Sequence, residues 1–368
     1  MQSKKRRISD IGEPIACLFV VLLLATGTYW RNRIWNSTTE LWADSVKKSP
    51  NKERPHYNLG TVFLEQGKYQ EAIDHFTQAL QIDPNYLEAH TNLGTVFLEQ
   101  GKYQEAIDHL TRALQIDPNY LKAHTNLGMA FFRQGKYQEA VDHFTQALRI
   151  NPNYLEAHTN LGTAFFRQGK YQEAVDHFTQ ALRINPMNEE SYNNLGYAFI
   201  RQGKYQEAVD HFTQALRINP TNEESHNNLG YALGQQGNYR EAVDHLTQVL
   251  RIKPNHARAQ NNLGNVFFRQ GNYQEAVDHF TQALQIDPNN EEAHNNLGET
   301  FTEQGKYEEA VFHLTEALRI KPNNPILHYN LGIVFVRQGK RNLALKEYET
   351  LRTMDQPLAS ILSQKISK

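Results

Sequence analysis

The sequence predicts an all-α protein, a solenoid of short helical hairpins standing behind an N-terminal membrane helix. Three observations carry that prediction. The stretch GKYQEAVDHFTQALRINP occurs three times unchanged, from Gly135, Gly169 and Gly203, and its period of 34 residues runs from about Arg54 to Asp355. Within each period, apolar residues recur at helical spacing in two segments separated by a glycine and closed by a proline. Near the N-terminus, one uncharged apolar run stands apart from the repeats.

That run is the first element. Lys4, Lys5, Arg6 and Arg7 lie in a basic segment, residues 1–14, ahead of IACLFVVLLLATGTYW at residues 15–30, which Arg31 and Arg33 follow. At about 1.5 Å per residue the run gives roughly 24 Å of helix, short of a hydrocarbon core of roughly 30 Å, so local thinning or snorkelling flanks must help it span. Tyr29 and Trp30 form the interfacial belt of a retained anchor. The competing reading is a signal peptide cleaved after the small residues Ala25 and Gly27. Cys17 precedes most of the run and so does not suit a lipoprotein. The basic excess before the run places the N-terminus in the cytoplasm and the rest of the chain outside it, in a periplasmic or lumenal space, or secreted if the segment is cut. Asn36-Ser37-Thr38 is a glycosylation sequon on that outer side.

Residues 31–52 form a juxtamembrane segment in which Thr38 to Lys48 matches a lone second helix, with Trp42 in the place of a repeat phenylalanine. Residues 53–356 hold nine units, the last partial. Leu59, Leu93, Leu127 and their equivalents to Leu331 recur in step, each followed by glycine, and an alanine recurs from Ala72 to Ala344. In the unit from Leu155 to Asn188, His158, Leu161, Gly162 and Phe165 share one face of the first helix. Gly169 ends that helix in a left-handed conformation. The second helix buries Ala174, Val175, Phe178, Ala181 and Leu182, and Pro186 stops it. A pair of three-turn helices cannot cover its own apolar faces, so neighbouring units must stack. Glu88, Glu156, Glu224 and Glu292 follow Asn85, Asn153, Thr221 and Asn289 by three, the spacing of a capping box. Residues 357–368 close the array with a short helix, Leu358, Ile361, Leu362 and Ile366 on one side.

The period, both glycines, the aromatic, the alanines and the proline resemble the tetratricopeptide repeat over about five-sixths of the chain. The usual tryptophan is replaced by His56, His90, His124, His158, Tyr192, His226, Gln260, His294 and His328. The resemblance implies a right-handed superhelix whose first helices line a concave channel, and a role in binding other proteins. On the stripe opposite the packing face every unit places an asparagine: Asn58, Asn92, Asn126, Asn160, Asn194, Asn228, Asn262, Asn296 and Asn330. An amide both donates and accepts, so a ladder of them can pair with an extended peptide backbone whatever its side chains. Rungs about 10 Å apart match roughly three residues of extended chain. The ladder is similar to one in the repeat superhelix of O-linked N-acetylglucosamine transferases; the alternative is that the amides satisfy local polar groups. Arg133, Arg167 and Arg201, beside Phe132, Phe166 and Ile200, suggest a groove section for an acidic, partly apolar segment, against a null of a solvated charged face.

Other chemistry finds little support. With 38 basic and 40 acidic residues the chain has no net field to draw it to nucleic acid, and one cysteine excludes a disulfide framework or thiolate metal cluster. The histidines fall into two periodic series, neither paired at i, i+4, so no metal site is expected, nor any cofactor. No phosphate-cradling loop, HExxH or GxSxG is present, and no catalytic residue is assigned. Two functions survive: a membrane-anchored scaffold that captures an extended protein segment, and the recruiting arm of a membrane glycosyltransferase system, because the stretch from Tyr29 to Gly60 resembles the junction in multi-spanning transferases with C-terminal repeats. Leu233 and Gly234 replace a bulky pair in one first helix; a mid-helix glycine costs about 1 kcal/mol relative to alanine, so amide exchange is expected to be faster at Tyr231 to Gln236 than at Phe165 to Gln168.

Overall fold

A computed structural model describes residues 37–367 of the chain; the expected membrane segment at 15–30 and the basic residues before it lie outside the described residues. Among the described residues the secondary structure is twenty α-helices without a strand, and no helix is long and apolar enough to cross a membrane. The chain divides into two compact units, residues 1–168 and 169–368.

The described part of the first unit opens with α1 (Thr38–Lys48), where the lone helix was expected. Its hairpins are α2 (Glu53–Glu65) with α3 (Tyr69–Ile82), α4 (Leu87–Glu99) with α5 (Tyr103–Ile116), and α6 (Leu121–Arg133) with α7 (Tyr137–Ile150); α8 (Leu155–Arg167) ends the unit. The second unit begins with α9 (Tyr171–Ile184). It continues with α10 (Glu189–Arg201) and α11 (Tyr205–Ile218), α12 (Glu223–Gln236) and α13 (Tyr239–Ile252), α14 (Ala257–Arg269) and α15 (Tyr273–Ile286). Then come α16 (Glu291–Glu303) and α17 (Tyr307–Ile320), α18 (Pro325–Arg337) and α19 (Arg341–Met354), and last α20 (Gln356–Ile366).

Each hairpin is locked by a glycine that has no room for a side chain. A Cβ on Gly128 would lie 2.7 Å from Phe144 Cε1, and one on Gly94 would lie 2.5 Å from Leu110 Cγ. The second helix therefore drives a large apolar side chain into the gap in the first; Phe76, Phe144, Phe212 and Phe280 are fully buried there. Each such ring contributes about 1.5–3 kcal/mol relative to an exposed one. The hairpin turn depends on a second glycine. Gly203 has φ +74°, and Lys204 N–H reaches back to Phe199 O at 2.9 Å, the six-to-one bond of a left-handed helix stop. The second helix ends one residue before an extended residue that precedes proline, as at Asp83.

Two expectations need correction, and Gly234 gains a packing role. The capping boxes are displaced by one residue: α4 and α8 are preceded by Tyr86 and Tyr154, which supply no side-chain cap, and Glu88 and Glu156 stand at the second helical position. The reason is a competing local bond, since Asp83 and Asn151 accept the amides of Asn85 and Asn153 at 2.9 and 3.1 Å and turn the chain earlier. In the second unit Asn222 and Asn290 cap α12 and α16 instead, accepting from Ser225 and Ala293. On α20, Leu362 is fully buried and Ile366 nearly so, but Ile361 is 43% exposed and does not join the sealing face. Leu362 fills the gap over Gly332, 2.6 Å from where a Cβ would be, and so takes the place that a second-helix ring holds in other hairpins. Finally, Gly234 is not an empty spot: a Cβ there would meet Val266 Cγ2 of α14 at 3.0 Å, so its smallness admits the next first helix.

Candidate functional site: the amide-lined face of the first helices

The asparagine stripe is present in each unit, but several of its amides are already engaged. In the first unit Asn92 donates to Tyr57 Oη at 3.2 Å and accepts from Lys122 Nζ at 3.1 Å. Asn126 donates to Thr95 Oγ1 of the preceding first helix at 2.8 Å. Asn160 cannot repeat that bond, because Met129 stands where Thr95 stood. Its Nδ2 is buried without an acceptor, a rare and costly condition for an amide. In the second unit the bonds run between asparagines. Asn262 donates to Asn227 Oδ1 at 3.0 Å, Asn296 to Asn261 at 3.0 Å, and Asn330 to Asn295 at 2.8 Å and Glu299 at 2.6 Å.

The donor half of the expected donor–acceptor pair is thus committed between neighbouring hairpins wherever these bonds form. The acceptor half is not: among the described residues no donor reaches Oδ1 of Asn126, Asn262, Asn296 or Asn330. Asn58 and Asn194 are half-buried on the same stripe, and Asn228 accepts from Asn227 at 3.4 Å. The sequence signal for these partners was the change from threonine to asparagine one place before the stripe, from Asn193 onward.

Two cavities open on this face within the second unit. One of about 200 Å³ is lined by Tyr197, Ile200, Tyr231 and Arg258 together with the stripe residues Asn228 and Asn262. Arg201 and Glu292 complete its rim. The other, of about 340 Å³, has an apolar floor of Phe268, Ile333 and Val336 beside Tyr329 and Asn330, with Lys365 of α20 at its edge. Arg337 there is held by Glu303 at 2.8 Å. Of the three expected arginines, Arg133 and Arg167 belong to the first unit and are exposed. Arg201 belongs to the second and lies 5.1 Å over the ring of Tyr171. Burial raises the Tyr231 phenol above its usual range, so it enters the cavity as a neutral donor.

The histidines do not pair at i, i+4, but the fold pairs the two series across the hairpin. Nineteen residues separate the two series, one hairpin turn, and their Nδ1 atoms meet: His56 with His75 at 3.2 Å, His90 with His109 and His124 with His143 at 3.1 Å, His226 with His245 and His294 with His313 at 3.0 Å. No group of three or more metal-ligating side chains assembles among the described residues. Burial lowers the ring pKa at His75, His109, His143 and His245, and at His313 lowers it to about 4.

Stacked hairpins presenting one amide-lined face define a helical-repeat scaffold, a class whose fold typically serves protein–protein interaction. The chain belongs to the tetratricopeptide-repeat proteins: the family model for the C-terminal domain of cilia and flagella-associated protein 70 matches residues 85–297, and the TPR repeat model matches residues 60–101 and 298–339. Among solved structures it resembles a tetratricopeptide repeat protein from Parabacteroides merdae, at TM-score 0.59 and 20% identity over 68% of this chain and 98% of that one. It also resembles a chain of the APC/C hetero-tetramer Cut9–Hcn1, at TM-score 0.57 and 16% identity over 89% and 80%. These likenesses concern the fold. Protein O-mannosyl-transferase TMTC1 of Homo sapiens is 31% identical over 68 residues, 18% of this chain and 8% of that protein, and its Mus musculus counterpart 32% over 65 residues, 18% and 7%. The chain therefore matches under a tenth of the length of those relatives.

Proposed function

We propose that the chain is a non-catalytic scaffold that grips an extended protein segment along the amide-lined face of its first helices, tethered to a membrane through residues 15–30 with the repeats on the extracytoplasmic side. The observation that supports it most directly is the presence of stripe asparagines in both cavities of the second unit, Asn228 and Asn262 in one and Asn330 in the other. With their donors committed to the stack, Asn262 and Asn330 offer fixed carbonyl oxygens to peptide N–H groups, and the apolar floors beside them take side chains. Pre-organised acceptors cost little to order on binding. In this reading the ladder both ties neighbouring hairpins and receives the ligand. In the first unit, Asn126 and the exposed Arg133 and Arg167 stand at the equivalent places of its own first helices and suit acidic residues.

The similarity to TMTC1 favours a second reading, in which this face recruits a protein to a membrane glycosyltransferase and the chemistry lies on another polypeptide or domain.

Panning a displayed library of unstructured peptides against the full chain tests the proposal. Selected peptides should lose about tenfold in affinity, or roughly 1.4 kcal/mol, when Tyr231 and Arg258 are changed to alanine. Arg258 is exposed, so its change should leave the array intact. Failure to enrich any peptide, or peptides indifferent to both changes, would discard the grip.

A further inference from the structure

The histidine pairs fix their own protons. His56, His90, His124 and His226 each place Nε2 3.0–3.1 Å from the carbonyl of Pro50, Pro84, Pro118 or Pro220. A carbonyl only accepts, so Nε2 carries the hydrogen and Nδ1 of these rings is a bare acceptor. The facing ring must then donate from its own Nδ1. Variation among the hairpins supports the assignment. In α14/α15 the first place is Gln260, and His279 Nδ1 meets its Oε1 at 2.7 Å, again as donor to an acceptor. In α18/α19 the second place is Glu347, and His328 faces two acceptors, Glu347 at 2.7 Å and Pro322 O at 3.1 Å.

We propose that the hairpins carrying a histidine at both places are acid-opened clasps, while the hairpins closed by Gln260–His279 and His328–Glu347, which have no bare ring nitrogen at the clasp, lose less protection in acid. A first added proton goes to the outer Nε2 of the second-helix ring and leaves the Nδ1–H···Nδ1 bond in place. A second can go only to the bare Nδ1, the atom that receives the bond, and it sets N–H against N–H between two half-buried cations. The clasp parts, and with it the contact that joins the first helix to the second at the proline end. Gln260 has no such atom: its oxygen accepts from His279 whether or not His279 is charged. In His328–Glu347 the group facing His328 Nδ1 is a carboxylate oxygen, which accepts, so this hairpin too lacks a bare ring nitrogen at the clasp.

The surroundings favour the neutral pair. Each second-helix ring of α3, α5, α7 and α17 stacks on a phenylalanine, Phe63, Phe97, Phe131 or Phe301, that also carries a lysine ammonium over its face at 5.7–5.8 Å. The lysines are Lys68, Lys102, Lys136 and Lys306. Neighbouring acids act the other way: Asp74 on His75, Asp108 on His109, Asp142 on His143, Asp244 and Glu241 on His245, and Glu316 on His313. Asp83 and Arg112 face His90, and Glu316 and Arg319 face His294, with opposite signs. In every pair burial outweighs these charges, and all five second-helix rings are shifted toward the neutral form.

The device is separate from the peptide grip and is tested without a ligand. Amide hydrogen exchange of the full chain in detergent is followed from pH 7 to pH 5, corrected for intrinsic rates. Each proton taken up on opening raises the opening constant by about tenfold per pH unit, so protection in α16 and α17 should fall by at least about tenfold over that range. Adjacent hairpins share interfaces and spread the loss, so the decisive comparison is within one hairpin. His294→Gln installs the α14 residue at the matching place and should reduce the acid loss to that of α14 and α15 while keeping protection at pH 7; Gln260→His should deepen the acid loss in α14 and α15. An acid loss in α16 and α17 undiminished by His294→Gln, or no loss there at all, overturns the proposal.

Discussion

Gly264→Ala should change sign with its surroundings. A Cβ at Gly264 would lie 2.5, 2.6 and 2.9 Å from Cε1, Cδ1 and Cζ of Phe280, a ring with no exposed surface. Carbon atoms settle at about 3.5–4.0 Å, so the ring must retreat by about 1 Å into packed neighbours. Such overpacking costs about 1–3 kcal/mol. Alanine returns about 1 kcal/mol through its helix propensity, leaving a net loss of up to about 2 kcal/mol. Phe280→Ala alone removes the ring and should cost about 3–5 kcal/mol. In that background the added methyl has room, only the propensity gain remains, and Gly264→Ala should stabilise by about 1 kcal/mol. The coupling between the two changes is then about 2 kcal/mol, typical of residues in contact. Hydrogen exchange of α14 and α15 reads it locally, which matters because stacked hairpins need not unfold as one unit; urea transitions by circular dichroism provide a second measure. Equal destabilisation by Gly264→Ala in both backgrounds would refute the account of the glycine as a socket for the ring.

Other outcomes follow from the same contacts. Asn126→Ala should cost about 1 kcal/mol, through loss of the bond to Thr95, whereas Asn160→Ala, which deletes a buried donor that has no acceptor, should cost under about 0.5 kcal/mol; urea midpoints of the two variants compare them. Stability should also decline in acid, as seen by thermal melts between pH 7 and pH 4. The second-helix histidines bind protons more weakly folded than unfolded, so the unfolded chain takes them up first: their contribution is complete above about pH 6.5, falls below it, and is gone once His313 titrates near about 4. A melting temperature flat over that window would contradict the burial of those rings.

Much of the fold was legible because one sentence is repeated and every copy must obey the same physics. The period, the two helices, the left-handed glycine turns and the buried alanines and phenylalanines are consequences of local spacing and local backbone preference, readable from Leu155 to Asn188 alone. The limits of α1 were equally plain. Capping departs from the box spacing because Asp83 and Asn151, just before the proline, accept the amide two residues on, and spacing alone does not say which of two local bonds wins. The packing role of Gly234 is invisible to propensity, which sees one helix at a time, because Val266, which fills the space beside it, comes from another.

The sequence by itself determined that this chain is a stack of helical hairpins and that each first helix carries one asparagine of the stripe, since a strict 34-residue repeat puts that residue at the same place of every unit. Only the tertiary structure decided what that stripe does with its hydrogen bonds. Asn262 reaches Asn227, 35 residues back, and His294 meets His313 across a turn, because packing brings together groups whose separation in the chain is set by the repeat rather than by helical geometry. Such contacts depend on how one hairpin lies against itself and the next, and no pattern within a single helix encodes that.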